Sequence, residues 1–262
     1  MVILRMSKKT KKRILFIVEG DTDEPEFFKQ AKAVFYHEYE IEYYTYCTSI
    51  HDLIDALFQD EQLDKDIDIR RTLRAKEKDP EKKDILKEKY TDIFLVFDME
   101  PHYQKQHFSV IEQMLAYYCD SEKMGKLFIN YPMMQSYKHI NRMPDSGFID
   151  QVVTKEAVQE YKKLVGQETA YQDVRKYDYR IFMSMCAHHL KKANYILNQS
   201  SDLMGLKEFI NIDYVTLFQK QLDKWNRNNC VYVLNTSIFW ILEYKPNLLL
   251  KKLKQNSAIF YI

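Results

Sequence analysis

Three carboxylates stand where the course of the chain could bring them together: Glu19, Asp98 and Glu100. Glu19 closes the apolar run Arg13-Ile-Leu-Phe-Ile-Val18 and is followed by Gly20, where the backbone must turn. An acidic segment, Asp21 to Glu26, then opens a helix. Asp98 and Glu100 close a second apolar run, Asp92-Ile-Phe-Leu-Val-Phe97. A carboxylate at the C-terminal end of a parallel strand is where open α/β sheets place their chemistry. Taken singly, these acids have an ordinary explanation, because Asp and Glu near a helix start favour the helix dipole. The recurrence of the device at two strand ends is what points to a hard divalent cation. Mg²⁺ takes one or two carboxylates and completes its shell with phosphate oxygens and waters. Such an ion can activate water or stabilise a leaving alkoxide on a phosphodiester. The expectation is that Glu19 and Asp98 share the ion, with Glu100 close by.

The positioning elements follow from periodicity. Strands are predicted at about 13–19, 40–47, 92–98 and 126–130. Between them lie helices: one with Phe27, Phe28, Ala31, Val34 and Phe35 on its apolar stripe, one opened by Ser49, and one carrying Val110, Ile111, Met114, Leu115 and Tyr118. This β/α alternation predicts an α/β fold with a four-stranded parallel sheet flanked by helices. Residues 61–90 interleave both signs of charge and read as a helical insertion broken near Asp79-Pro80. The alternation ends near Pro144, so the organisation reads as a basic arm at 1–12, an α/β domain at 13–145 and a helical region at 146–262 without further sheet.

The spacing Glu19-Gly20…Glu24, followed by Asp98-x-Glu100 at the end of a later strand, resembles the Toprim domain over about residues 12–140. The stretch Val18-Glu-Gly-Asp-Thr-Asp-Glu-Pro-Glu-Phe-Phe28 is most similar to the OLD-like and RloB-like group of that family. The resemblance implies Mg²⁺- or Mn²⁺-dependent cleavage of nucleic acid, either DNA or an RNA such as tRNA, within bacterial anti-phage defence. It also implies an ATPase partner. It assigns Glu19 as general base or metal ligand, Asp98 and Glu100 as metal ligands, and Glu24 to a second metal. Asp98-Met99-Glu100 has a glutamate where Asp-x-Asp is common, and Gln135 stands where related nucleases often carry an acid. An inactive Toprim-fold subunit that binds and regulates an ATPase is the alternative.

Charge and composition bound the rest. The net charge of +1 excludes a polyelectrolyte, so any nucleic-acid surface must be local. Lys138 and His139 follow the fourth strand, and Lys138 could neutralise a scissile phosphate. Arg175, Lys176 and Arg180, then Lys191 and Lys192, combine positive charge with aromatic neighbours and form the candidate nucleic-acid stripe. Lys8, Lys9, Lys11, Lys12 and Arg13 make a basic arm, and His102 and His107 flank the acidic motif as candidate proton donors. The 14% aromatic content argues against disorder, and the 5 Gly and 6 Pro against a loop-rich all-β fold. Cys47, Cys119, Cys186 and Cys230 form no CxxC pair and are expected as buried free thiols in a reducing cytoplasm. No stretch has the length of a membrane span, and the N-terminal apolar run is too short for a signal peptide. The apolar segment Cys230–Tyr244 is expected to be core or an oligomer or partner interface. No nucleotide-binding glycine loop is present, so an ATPase activity would come from another chain.

Overall fold

In the structure, a computed structural model, residues 11–57, 68–101 and 107–256 are described. Lys8, Lys9, His102 and residues 61–67 of the charged insertion lie outside them.

Continuous apolar runs make the centre of the sheet. β1 (Arg13–Val18) pairs in parallel with β2 (Glu40–Thr45) on one side and β3 (Asp92–Asp98) on the other, and β3 pairs in parallel with β5 (Gly125–Asn130). Residues Ile14–Val18 and Phe94–Phe97 are completely buried, as strands covered by helices on both faces must be. The sheet is not the four-stranded parallel one expected. A fifth strand, β4 (Cys119–Asp120), pairs antiparallel with β5, giving the order β2-β1-β3-β5-β4. Two residues are too few for any alternation to register in the sequence.

Crossover helices α1 (Asp23–Phe35), α2 (Ile50–Leu57) and α5 (Phe108–Tyr117) connect the strands. α2 begins with a reciprocal cap: Ser49 Oγ accepts from Asp52 N, and Asp52 accepts from Ser49 N and Oγ. The charged insertion forms α3 (Ile69–Lys76) and α4 (Pro80–Lys87), with Asp79 capping α4 and Pro80 in its first turn. This pair is more than a solvated appendage. Lys82 Nζ donates to Thr45 O at 2.7 Å and Tyr44 OH to Glu77 at 2.7 Å, so it is fastened to edge strand β2, the kind of edge that proteins cover.

The second half contains α6 (Lys155–Val158), α7 (Tyr161–Glu168), α8 (Tyr179–Asn198), α9 (Leu206–Ile210), α10 (Tyr214–Asn228), α11 (Trp240–Glu243) and α12 (Pro246–Gln255). It is not purely helical: β6 (Val152–Thr154) and β7 (Cys230–Tyr232) form a two-stranded antiparallel sheet. This half also shares its core with the sheet. Phe16 of β1 packs against Phe28 of α1 at a centroid distance of 3.9 Å, Phe94 of β3 at 5.3 Å and Trp240 of α11 at 5.4 Å. Val233, Leu234 and residues 235–242 are fully buried, so this part of the apolar segment is core and offers no partner surface. Among the described residues no helix is long and apolar enough to cross a membrane. The four thiols are free, but Cys47 and Cys119 are exposed where burial was expected.

The basic residues at the start of β1 sit at the opposite end of the strands from the acids. Lys11 pairs with Glu40, Lys12 with Asp92 and Glu122, and Arg13 with Glu42 and Glu88. They fasten the N-terminal edge of the sheet and do not approach the acidic ends.

Candidate functional site

Because β1 and β3 are parallel neighbours in the register Val18↔Val96, their C-terminal ends coincide. Glu19 N donates to Val96 O at 3.2 Å, and the Glu19 carboxylate accepts from Asp98 N at 3.0 Å. The Glu24 side chain turns back from the first turn of α1 and accepts from Gly20 N at 3.3 Å. Glu19 and Glu100 line an open cleft of about 520 Å³ together with Gly20, Asp21, Cys47, Thr48, Ser49 and Asp52. Glu100 and Cys47 adopt left-handed backbone conformations, φ 43° and 63°. Neither residue favours that region, and such strain gathers at functional sites.

The electrostatics are those of crowded buried acids. Burial pushes the Glu19 carboxyl up to about 8, opposed by the hydrogen bond from Asp98 N and reinforced by Glu100 and Glu24. Burial also raises Asp98 well above the ordinary carboxylate value, with further contributions from Glu19, Glu24 and Glu100. Glu24 is raised chiefly by burial. Asp98 Oδ1 is buried and makes no hydrogen bond. An orphaned buried carboxylate oxygen is costly and calls for an explanation such as an ion.

Those features define how a cation would fit. Among the described residues, no group of three or more His, Cys, Asp and Glu side chains is arranged as a ready ligand set. Glu19 and Glu24 each direct an oxygen to a backbone N–H. What the residues fit is a Mg²⁺- or Mn²⁺-type site with one or two carboxylate ligands, completed by substrate oxygens and water.

Gln135 belongs to this neighbourhood. Its amide donates to Asp23, while its Oε1 is buried without a partner. The amide therefore brings a second orphaned oxygen to the acidic end of the sheet without adding charge. Gly20 is required by the same crowding: a Cβ there would lie 2.6 Å from Glu24 Oε2. Gly20→Ala should therefore drive the Glu24 carboxylate out of place and weaken Mn²⁺ binding in a calorimetric titration. Unchanged affinity would remove Glu24 from the site.

One cation that acts on the acids was not found from sequence. Lys162, at the start of α7, lies 3.7 Å from Asp23, and its charge stabilises the ionised forms of Glu19, Glu24 and Asp98. Lys138, which was expected there, is half-buried, directs Nζ toward Gln172 O at 3.5 Å and stacks over Tyr137.

The proposed nucleic-acid residues divide. Arg175, Lys176 and Arg180 are exposed and Lys191 is half-buried; Arg175 is already paired with Asp173. His139 and Lys192 are not surface groups. His139 is buried and bonds Tyr161 and Glu168, and Lys192 is fully buried against two backbone carbonyls. His107, a candidate proton donor, is buried beside His51 at 3.2 Å and Asp55 at 3.1 Å.

Compared with protein-family models, curated proteins and solved structures, the chain matches none.

Proposed function

We propose that the chain is a divalent-cation-dependent phosphodiesterase that cleaves nucleic acid, acting as an effector of bacterial anti-phage defence. The observation that carries the reading is the meeting of Glu19 with Asp98 at adjacent parallel strand ends, beside an open cleft and an orphaned Asp98 oxygen. The Toprim resemblance in Glu19-Gly20…Glu24 and Asp98-x-Glu100 supplies the class of reaction.

A bound Mg²⁺ or Mn²⁺ would supply Lewis-acid stabilisation of a phosphodiester's developing charge. Asp98 and Glu100 are the residues that would hold it, with Glu24 reserved for a second ion. Glu19, its carboxyl raised toward neutrality by burial, suits proton acceptance from an attacking water near neutral pH. Lys162 is placed to neutralise a phosphate that approaches the acids, and exposed Arg175, Lys176 and Arg180 offer more distant phosphate contacts. DNA and RNA backbones fit this chemistry alike. Regulation by an ATPase partner belongs to the same proposal; co-expression with such a partner and size-exclusion chromatography test it.

The test of the central reading is cleavage of labelled single- and double-stranded DNA and tRNA with Mg²⁺ or Mn²⁺, against an EDTA control. Lys162→Ala should lower kcat/KM by about tenfold, the scale of a charge-assisted hydrogen bond. It should also reduce the salt dependence of binding. A Lys162→Ala enzyme with wild-type kinetics would take the lysine out of the site.

A second reading has an observation in its favour. The neutral Gln135 is engaged with Asp23, and the acids form no ready ligand set among the described residues. Both suit an inactive Toprim-like subunit that binds a partner ATPase. Absence of cleavage under every condition, with a stable complex recovered on co-expression, would favour it.

A further inference from the structure

His139 lies on the loop after β5, yet its imidazole is only 2% exposed and both ring nitrogens are engaged by one helix. Nδ1 is 2.9 Å from Tyr161 OH, at the first residue of α7. Nε2 is 2.7 Å from Glu168 Oε2, at the last. Residues seven apart fall on the same face of a helix two turns long, so a single ring spans α7 from end to end. The partners assign the protons. An ionised Glu168 only accepts, so Nε2 carries the hydrogen, Nδ1 is the acceptor and the Tyr161 hydroxyl donates to it. The next stretch of chain follows the same helix: Thr169 Oγ1 donates to Ile140 O at 3.1 Å and Ala170 N to Asn141 O at 3.1 Å.

The start of α7 is where the site lies. The phenol of Tyr161 is fully buried and close enough to Asp98 for that carboxylate to act on it. The next residue, Lys162, is the one that reaches Asp23 and whose charge acts on Glu19, Glu24 and Asp98. Lys162 itself is 69% exposed on its side chain and has little packing to hold it. Its location depends on how the first turn of α7 is seated.

We infer that His139 is a positioning residue: by clasping Tyr161 and Glu168 it fixes the first turn of α7, and with it the Lys162 ammonium, against the acidic strand ends. The effect of His139 on function runs through Lys162. This rests on the phosphodiesterase reading for its kinetic consequence, but the clasp itself can be judged without any activity.

Two measurements on the full-length chain test it. His139→Phe keeps an aromatic ring and removes both hydrogen bonds; His139→Gln keeps an amide that can serve one partner. Hydrogen–deuterium exchange should show faster exchange across residues 161–168 in His139→Phe, and partial recovery of protection in His139→Gln. In cleavage assays, His139→Phe should lower kcat/KM by about tenfold, matching a lost charged contact, with the loss in KM more than in kcat. Adding Lys162→Ala to His139→Phe should cost little more, because residues acting through one contact are not additive. Wild-type exchange in α7 of His139→Phe would overturn the clasp. Multiplicative losses in the double variant would overturn its action through Lys162. Should His139→Phe fail to fold, His139→Gln carries both measurements. A wild-type chain that cleaves no nucleic acid would sink the phosphodiesterase reading, and exchange in α7 would still decide the clasp.

Discussion

Glu19→Gln and Asp98→Asn should each reduce cation-dependent cleavage by at least about 10²-fold, the scale of losing one general-base or charge-positioning group. Together they should cost hardly more than either alone, because Glu19 accepts from the Asp98 backbone N–H and its charge acts on the Asp98 carboxyl, so the two serve one site. The same substitutions should make the folded chain more stable when divalent ions are removed with EDTA. Burial raises both carboxyls, Glu19 to about 8 from an ordinary 4.5 and Asp98 well above 3.8. Between the ordinary and raised values the folded state holds protons that the unfolded chain has released. The contribution of these two acids to stability is therefore fully present below the ordinary carboxylate values and is lost as pH rises toward about 8. Removing the Glu19 charge also relieves Asp98, whose carboxyl it helps to raise. Urea denaturation at pH 5 and pH 8 should show that wild type loses more stability relative to Asp98→Asn at pH 8 than at pH 5. Full cleavage by both variants would end the catalytic reading. Equal pH dependence in wild type and variant would show that these acids are not electrostatically crowded in solution.

That pairing of lost activity with gained stability is a physical signature of a site. A protein selected only to fold would have no reason to bury Asp98 with an unpartnered oxygen, because an apolar side chain of similar shape would avoid the penalty. The strain at Glu100 and Cys47 around the same cleft points the same way.

The acidic strand ends were legible for a specific reason. Central parallel strands are buried on both faces, so Ile14–Val18 and Phe94–Phe97 read as unbroken apolar runs, and a charge stands out at the end of each. The edge of the sheet had no such signal. β4 has two residues, and β6 finds β7 across some seventy-eight positions, Val153 opposite Val231. Lys162 was hidden by its surroundings. Lys155, Glu156, Glu160, Lys162 and Lys163 read as a solvated charged stretch, and only tertiary packing singles out the lysine that meets the acids. Tyr161, Leu164, Val165 and Glu168 do share a helical face, a faint mark of the side that packs. His139 and Lys192 each follow a basic neighbour, Lys138 and Lys191, so in sequence the pairs read as exposed clusters. For Lys192 the periodicity held the correction: Met185, His189, Lys192 and Ile196 fall on one face of α8, and all four are buried.

Lys192→Ala should therefore act on stability, lowering it by about 2–4 kcal/mol, where a surface nucleic-acid contact would leave the fold nearly untouched. Lys192 Nζ donates to Phe148 O and Gln151 O, each at 2.6 Å, and lies 4.4 Å from the centre of the Phe148 ring. It thereby joins α8 to the chain that leads into β6. Truncation takes one of two donors from each carbonyl, since Gln151 N still donates to Phe148 O and Val233 N to Gln151 O, at about 0.5–1.5 kcal/mol each, and leaves a cavity where the stem packed. Relief of the buried charge offsets part of that loss. Lys192→Met, which fills the cavity, should accordingly cost less than Lys192→Ala. Burial also depresses the Lys192 ammonium well below 10.5, with Asp150 and Asp145 opposing. Across that window the unfolded chain keeps a proton that the folded one has lost, so the contribution of Lys192 to stability should climb as pH rises toward 10.5, and Lys192→Met should lose that contribution. The exposed Lys176 provides the contrast. Lys176→Ala should stay within about 0.5 kcal/mol of wild type, and any weakening of nucleic-acid binding should diminish as salt is raised. Denaturation and salt-dependent binding measured on both variants separate a lysine that holds the fold from one that can meet a phosphate. A Lys192→Ala chain as stable as wild type would return Lys192 to the surface and refute the buried contact.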